Sequence, residues 1–165
     1  MKITAKSPLS EILKIGKECN MCGHCCSYGS GAMTDDDISR IAAFLKITKE
    51  DLKKNCLEPI EKFGTLRFRP KLERISDRPY GRCIFLDNDM LCKIDEVKPI
   101  ECRVGNCKEH GKDLSSWFTI NYFIDPDNER SMKEWTIALK THPTIEGGTP
   151  EELQTSHRNN IALRK

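Results

Sequence analysis

Eight of the nine cysteines in this chain of 165 residues fall into two groups of four. The first group is Cys19, Cys22, Cys25 and Cys26, and the second is Cys83, Cys92, Cys102 and Cys107. A thiolate is a soft, charged ligand, and four held together are costly unless a metal ion or an iron–sulfur cluster neutralises them. Because residues 27–82 separate the groups, the fold has to bring distant loops together before the sulfurs can share a site.

The first group has a spacing that suits metal binding. Two cysteines separated by two residues let a tight turn direct both sulfurs at one metal, and three at this spacing can hold three corners of an iron–sulfur cubane. Gly23, inside the motif, lets the backbone come close to a cluster. Adjacent side chains diverge, so three alternatives stay open for Cys26: it binds a second metal, completes the first site through a distorted turn, or packs.

The second group is more widely spaced. Cys83 and Cys92 flank a predicted hairpin, and Cys102 and Cys107 follow Pro99 on a loop. The paired two-residue spacings of a zinc ribbon are missing here, whereas an iron–sulfur cluster tolerates thiolates gathered from distant loops. All eight cysteines are therefore predicted metal ligands. We expect an iron–sulfur cluster of the 4Fe–4S type, with zinc as the alternative.

Cys22-Gly23-His24-Cys25 also matches the motif of a thiol–disulfide oxidoreductase. That chemistry needs its first thiol at a helix N-terminus in a βαβ unit, and no strand is predicted before this motif. The other clustered cysteines would also stay unexplained. No serine nucleophile elbow, phosphate-binding glycine loop or helical pair of metal-binding histidines is present, so hydrolytic or other acid–base catalysis has no candidate residues; whether the protein is an enzyme stays open, and a non-enzymatic role is favoured.

Short helices are predicted around the first cysteine group. One begins near Ser10, and a second follows the N-cap Thr34, where residues 35–37 place three aspartates on the first turn. A third begins after Thr48 and runs to about Leu57. Cys56 lies on the inner face of this third helix, which predicts a core residue rather than a ligand. Between the cysteines and Thr34, the glycine- and serine-rich residues 27–31 predict a flexible connection.

The middle and the end of the chain predict strands and a further helix. Alternation predicts a strand over Thr65–Arg69 with Leu66 and Phe68 on one side, and residues 83–86 and 90–92 predict a hairpin. The apolar run 117–124 predicts another strand, and residues 128–140 a helix. The expected fold is a small metal-stabilised α+β domain with short helices, a β-hairpin and cysteine-bearing loops. Its predicted parts are a lead-in segment (1–18), a cysteine-cluster metal-binding domain (19–140) and a polar C-terminal arm (141–165).

Composition restricts the compartment and the partners. Hydrophobic residues make up 38% and charged residues 32%, with a net charge of +2 and an odd number of cysteines. Neither a secretory signal nor an apolar stretch long enough to span a membrane is found, so we expect a cytoplasmic protein without membrane insertion or disulfides. The charge makes no general case for nucleic-acid binding. A basic stretch over residues 62–82 is either a solvated face or a docking surface for an acidic protein or a nucleic acid.

Five stretches in and between the two cysteine groups form a combined pattern: Cys19-Asn20-Met21-Cys22-Gly23-His24-Cys25-Cys26, Met33-Thr34-Asp35-Asp36-Asp37-Ile38, Gly81-Arg82-Cys83-Ile84-Phe85-Leu86, Cys92-Lys93-Ile94 and Pro99-Ile100-Glu101-Cys102-Arg103. This pattern resembles that of the CxxCxxCC family of zinc- or iron-chelating proteins. The stretches span Cys19 to about Cys107, more than half of the chain. The resemblance implies metal chelation and marks Cys83, Cys92 and Cys102 beside the first group.

These observations lead to one functional hypothesis and two alternatives. The hypothesis is a metal-binding accessory or regulatory protein that docks on a larger protein complex and responds to redox state or oxygen. The first alternative is an iron–sulfur electron carrier or enzyme subunit, and the second is a zinc-stabilised interaction module.

Overall fold

The computed structural model describes residues 2–162, which form short α-helices and short strands. The α-helices of this part are α1 (Leu9–Gly16), α2 (His24–Tyr28), α3 (Asp35–Leu45), α4 (Lys49–Cys56), α5 (Ile100–Val104), α6 (Gly111–Tyr122), α7 (Glu129–Ala138) and α8 (Pro150–Ala162). The strands are β1 (Leu57–Lys62), β2 (Thr65–Pro70), β3 (Leu72–Glu73) and β4 (Arg82–Cys83), and a 3-10 turn covers Asp95–Val97. This composition confirms the predicted α+β class.

The chain divides into two compact units. One, here called the cysteine unit, consists of Cys19–Ile60 and Arg67–Gly105. The other, here called the terminal unit, consists of Met1–Glu18, Glu61–Leu66 and Asn106–Lys165. Seven of the eight predicted ligands belong to the cysteine unit, and Cys107 belongs to the terminal unit.

Helices α3 and α4 build the core of the cysteine unit. The Thr34 hydroxyl accepts the Asp37 N–H while the Asp37 carboxylate accepts the Thr34 N–H, so the predicted helix start is confirmed as a complete capping box. The buried core consists of Met33, Ile38, Ile41, Ala42, Leu52, Leu57, Phe85 and Ile94. Cys56 packs against this core from the end of α4, as predicted.

Strands β1 and β2 form a hairpin whose turn is set by two residues in the left-handed region, Phe63 (φ 52°) and Gly64 (φ 70°). Such turns match the natural twist of paired strands. The predicted strand is confirmed; on it Leu66 is 63% exposed, whereas Phe68 packs against the core of the cysteine unit. Period-2 alternation alone does not show which face a two-stranded sheet covers.

The hairpin predicted over residues 83–92 is only partly present. Cys83 pairs instead with Leu72, because β4 runs antiparallel to β3. One bridge joins Leu86 to Cys92, and the Asp87 carboxylate accepts the Leu91 N–H at 2.8 Å within the turn. The turn therefore forms where the sequence predicts it, whereas the strand that receives Cys83 comes from earlier in the chain.

The terminal unit corrects one prediction. Residues 117–122 belong to the helix α6, so the predicted strand over 117–124 is wrong. Leu114, Trp117 and Phe118 are buried at helical spacing, and packing of this face outweighs the strand preference of its aromatic and β-branched residues. The predicted helix near residues 128–140 is confirmed as α7, with Asn128 as its N-cap.

Helix α8 lies within the predicted C-terminal arm. Its capping box joins Thr149 and Glu152, whose carboxylate accepts the Thr149 N–H at 3.0 Å. The last residues of the arm, 163–165, lie outside the described residues. Over residues 2–162, no helix is long and apolar enough to cross a membrane.

Candidate metal centre

Four different elements of the cysteine unit carry the sulfurs that come together. Helix α2 carries Cys25 and Cys26, β4 carries Cys83, the turn before the 3-10 helix carries Cys92, and α5 carries Cys102. All nine cysteines of the chain are thiols rather than disulfides.

Cys102 lies among the other sulfurs. Removal of its thiol from water raises its pKa well above the usual value, and the charges of Glu101, Cys83, Cys25 and Cys92 raise it further. Burial likewise raises the pKa of Cys83, with a further contribution from Cys92. The charge of one thiolate raises the pKa of another only when the two sulfurs lie close together, because the repulsion between charges falls with distance. Cysteines from both sequence groups therefore share one region of the fold.

The adjacent residues Cys25 and Cys26 interact directly. The Cys26 thiol donates a hydrogen bond to the Cys25 sulfur, which lowers the Cys25 pKa to about 6 and raises the Cys26 pKa. The charges of Cys102 and Cys83 also raise the Cys26 pKa, so this sulfur faces the second group as well. Of the alternatives for Cys26, simple packing away from the other sulfurs is the one that this placement disfavours.

Backbone N–H groups donate hydrogen bonds to the sulfurs of Cys19, Cys83 and Cys92. The Met21 N–H donates to the Cys19 sulfur across 3.4 Å. The N–H groups of Phe85 and Leu86 donate to Cys83, and that of Ile94 donates to Cys92, where burial otherwise raises the pKa. Hydrogen bonds to sulfur favour the thiolate, which is the form that binds metals. In each case a donor lies two residues after the cysteine.

The remaining predicted ligands are placed less centrally. Burial lowers the pKa of Lys98, but its hydrogen bond to Asp95 and the charges of Asp95, Cys19 and Cys92 outweigh this effect and raise it. Lys98 thus lies within electrostatic reach of both Cys19 and Cys92. Cys22 is exposed. Across residues 2–162, no group of three or more His, Cys, Asp or Glu side chains is already arranged to hold a metal ion, so binding requires the sulfurs to converge further.

Glu101 joins the loop after the first cysteine group to the helix of Cys102. Its Oε2 atom accepts the N–H of Gly31 at 2.7 Å and that of Ala32 at 2.5 Å. Gly31 has φ +104°, and a Cβ atom there would lie 3.4 Å from the Cys102 sulfur. The backbone therefore lies directly against this thiol. Arg69 also donates to the Gly29 carbonyl at 3.0 Å, so the connection predicted to be flexible is hydrogen-bonded on both sides.

Asp37 contributes more than the helix start that its position predicts. Its side chain is buried, its Oδ1 atom accepts from Arg40 at 2.6 Å, and its Oδ2 atom accepts the Ile100 N–H at 3.3 Å. Arg40 donates in turn to the Lys98 carbonyl at 3.2 Å. These contacts hold the segment that leads into α5. Sequence reasoning missed Asp37, Arg40 and Glu101 in this role, and the alternation of charged and apolar residues gave no signal for it.

An aromatic ridge borders α2. It consists of four exposed residues, His24, Tyr28, Tyr80 and Arg78. The ring centroids of His24 and Tyr28 are 4.8 Å apart, and those of Tyr28 and Tyr80 are 5.5 Å apart. The Arg78 guanidinium lies 5.8 Å from the centroid of the Tyr80 ring. Tyr28 is 55% exposed and Tyr80 is 39% exposed. Tyr28 and Tyr80 are far apart in sequence, so the ridge is not visible in the sequence alone.

Most arginines of the basic stretch in the cysteine unit are engaged internally. Arg69 and Arg74 both bind the Glu58 carboxylate, at 3.0 and 2.5 Å, and hold its pKa below the usual value. Arg82 donates to the carbonyls of Leu86 and Asp87. This arrangement favours the interpretation of the stretch as a structural face.

The donor set fits a soft metal. The thiols that come together offer only sulfur, some of them receive N–H hydrogen bonds, and sulfur ligands select zinc, copper(I) or iron–sulfur clusters over hard cations. The N–H groups and Lys98 would partly offset the charge of several thiolates. The types of residue present therefore fit the metal centre that the sequence predicts, and Cys25, Cys26, Cys83, Cys92 and Cys102 are the best-placed candidates for its ligands.

Comparison with known protein families gives one match. Residues 18–122 match the family CxxCxxCC, which is described as "Putative zinc- or iron-chelating domain". Neither the curated proteins nor the solved structures contain a match to this chain. The matched range covers well over half of the chain and includes all eight clustered cysteines. The chain therefore belongs to the CxxCxxCC family of zinc- or iron-chelating domains.

Proposed function

We propose that the clustered cysteines hold an iron–sulfur centre and that the protein is an accessory or regulatory component of a larger protein complex, not an enzyme. The observation that carries this proposal is the convergence of Cys25 and Cys26 with Cys83, Cys92 and Cys102 in one unit. Cys19 and Cys22, which belong to the same unit, complete the proposed ligand set there, and Cys107 is proposed as a ligand from the sequence alone.

Three features are compatible with iron and sulfide, and one of them, the irregular cysteine spacing, favours these over zinc alone. The central donors are all thiols, as iron–sulfur clusters use, and their spacing is irregular. The backbone N–H groups at Cys19, Cys83 and Cys92 are of the kind that adjusts the reduction potential of such clusters. When bound, the centre would neutralise the thiolates and tie α2, β4 and α5 together.

The aromatic ridge supports docking on a protein. Tyrosine, arginine and methionine are enriched at protein interfaces, and tyrosine provides a large apolar contact area that loses little entropy on binding. The ridge begins on α2, the helix that carries Cys25 and Cys26, and the exposed side chain of Met90 contacts Gly23 just before it. Loss or oxidation of the centre would free α2 and so alter the ridge, which is the proposed redox response.

The test is anaerobic purification followed by metal and sulfide analysis, a visible spectrum, and a second spectrum after exposure to air. We expect a brown protein with iron and sulfide in equal amounts and a spectrum that bleaches in air. A variant with Cys56→Ala is the matched control, because this cysteine packs in the core and should leave the spectrum unchanged.

Other results would select other functions. A colourless protein with stoichiometric zinc would contradict the iron–sulfur proposal and favour a zinc-stabilised interaction module. Reversible reduction of the centre together with turnover would favour an electron carrier or enzyme subunit. An iron–sulfur centre that survives air without any change in the spectrum would contradict the redox response alone.

A further inference from the structure

The helix α5 contributes a single cysteine to the metal centre, and almost nothing in its own sequence fixes where that cysteine lies. The helix has five residues, and no side chain caps its N-terminus. A helix this short has little stability of its own, so its position depends on contacts with other elements. The contacts of the segment 97–102 therefore decide where the Cys102 sulfur is held.

Two carboxylates make those contacts. Glu101 accepts the N–H groups of Gly31 and Ala32, which follow α2 by a few residues. Asp37 accepts the N–H of Ile100, the first residue of α5. Both bonds join chain segments more than sixty residues apart, and hydrogen bonds to charged acceptors are stronger than those between neutral groups.

The third member is Arg40. Its Nη2 atom donates to the Asp37 carboxylate at 2.6 Å and also to the Lys98 carbonyl at 3.2 Å, so one nitrogen joins α3 to the segment that leads into α5. Asp37 is 1% exposed, and a buried carboxylate without its partners would be costly. The pair of Asp37 and Arg40 therefore holds the chain in place where α5 begins.

We propose that Asp37, Arg40 and Glu101 are positioning residues of the metal centre that hold Cys102 against the cysteines of α2. This inference rests on the proposed metal centre but not on the identity of the metal. Glu101 has the most direct effect, because one of its hydrogen bonds ends on Gly31, the residue whose backbone lies against the Cys102 sulfur. The carboxylates touch no ligand atom of the metal in this scheme and act only through Cys102.

The test measures Co²⁺ binding to the reduced full-length chain by competition with a coloured chelator, together with the sulfur-to-cobalt absorption band. We expect Glu101→Ala to weaken binding about 10–100-fold, as loss of supporting hydrogen bonds does in other metal sites, and to reduce the band. Glu101→Gln keeps one oxygen that accepts N–H groups and should recover part of the loss. Glu96→Ala is the matched control, because Glu96 is an exposed glutamate immediately before this segment.

Alkylation of Cys102 in the Co²⁺-loaded protein is compared by mass spectrometry with alkylation of Cys56, which packs against the core: general destabilisation would expose both cysteines, whereas loss of the positioning contacts would expose Cys102 alone. We expect Cys102 to be protected in the native protein and in Glu96→Ala, and modified in Glu101→Ala. Far-UV circular dichroism shows whether each variant is folded. If Glu101→Ala does not fold, Glu101→Gln and Asp37→Asn provide the same comparison with smaller expected losses.

The outcomes separate the inference from the proposed centre. If the native protein binds no Co²⁺ through thiolates, the centre and the inference both fail. If Cys102→Ser weakens binding while folded Glu101→Ala keeps native affinity and protects Cys102, only the positioning role fails. A Cys102→Ser variant with native affinity would also overturn the inference, because there would be no ligand to position.

Discussion

Replacement of Gly31 by alanine should destabilise the cysteine unit markedly. Gly31 has φ +104°, which side chains rarely adopt, and its added Cβ would lie 2.9 Å from the Pro70 Cδ atom and 3.3 Å from the Pro70 Cγ atom. The left-handed conformation costs about 1–2 kcal/mol for alanine, and overlap in a packed region costs about 1–3 kcal/mol. Pro70 is a buried ring that has little freedom to move. The sum is about 2–5 kcal/mol.

Gly64→Ala is the control for this experiment. Gly64 also has a positive φ of +70°, but its added Cβ would find its nearest neighbours at 3.7 Å, an ordinary contact distance. Gly64→Ala should therefore lower the free energy of unfolding only by the cost of the left-handed conformation, about 1–2 kcal/mol. Both changes restrict the unfolded chain equally, so that effect cancels in the comparison.

The assay is urea denaturation of the metal-free, reduced protein, followed by far-UV circular dichroism. We expect Gly31→Ala to lose more free energy of unfolding than Gly64→Ala, by the cost of the overlap with Pro70. Equal losses, within about 0.5 kcal/mol, would refute the reasoning, because they would show that residue 31 has room for a side chain.

Three further predictions concern charge, burial and thiol reactivity. Glu58→Gln should lower the free energy of unfolding at pH 7, because folding lowers the pKa of Glu58 and the ionised carboxylate therefore stabilises the folded protein. The difference in free energy from the native protein should shrink as the pH falls below about 4. A difference that persists in acid would contradict this prediction. Leu52→Ala, at a site with 0% exposure, should cost about 2–5 kcal/mol in urea denaturation, whereas Leu66→Ser should change stability by no more than about 0.5 kcal/mol. In metal-free protein, iodoacetamide should modify Cys25 with a pH midpoint near 6, whereas Cys102 should react only at much higher pH. Mass spectrometry of the two peptides measures this difference, and a Cys102 that reacts at lower pH than Cys25 would contradict it.

Local signals in the sequence predict the helices that begin with a cap. Thr34 and Asp37 satisfy each other's backbone N–H groups within four residues, so the start of α3 needs no information from elsewhere. At α4 the Thr48 hydroxyl likewise accepts the Asp51 N–H, which is also a local contact. By contrast, α6 was predicted as a strand because the apolar run begins at Trp117, while its helical spacing becomes clear only when Leu114 is included.

The sequence predicts the ligand types of the candidate site but not the contacts that bring them together. The residue types and the spacing of the first cysteine group indicate metal binding without any structure. What brings Cys102 to that group is a set of hydrogen bonds between segments more than sixty residues apart, made by Glu101 and Asp37. From the sequence alone, Asp37 is explained as a charge at the start of a helix and Glu101 as a surface charge. No local pattern therefore distinguishes the residues that hold the site.

The division of the chain into two units has a spectroscopic consequence. Both tryptophans, Trp117 and Trp135, are buried in the terminal unit, while Tyr28 and Tyr80 are the aromatic hydroxyl groups of the cysteine unit. Tryptophan fluorescence therefore reports the melting of one unit, and absorption by a thiolate-bound metal would report the other. A single sample observed at both wavelengths would show whether the two units unfold at one temperature or in succession, without any label or truncation.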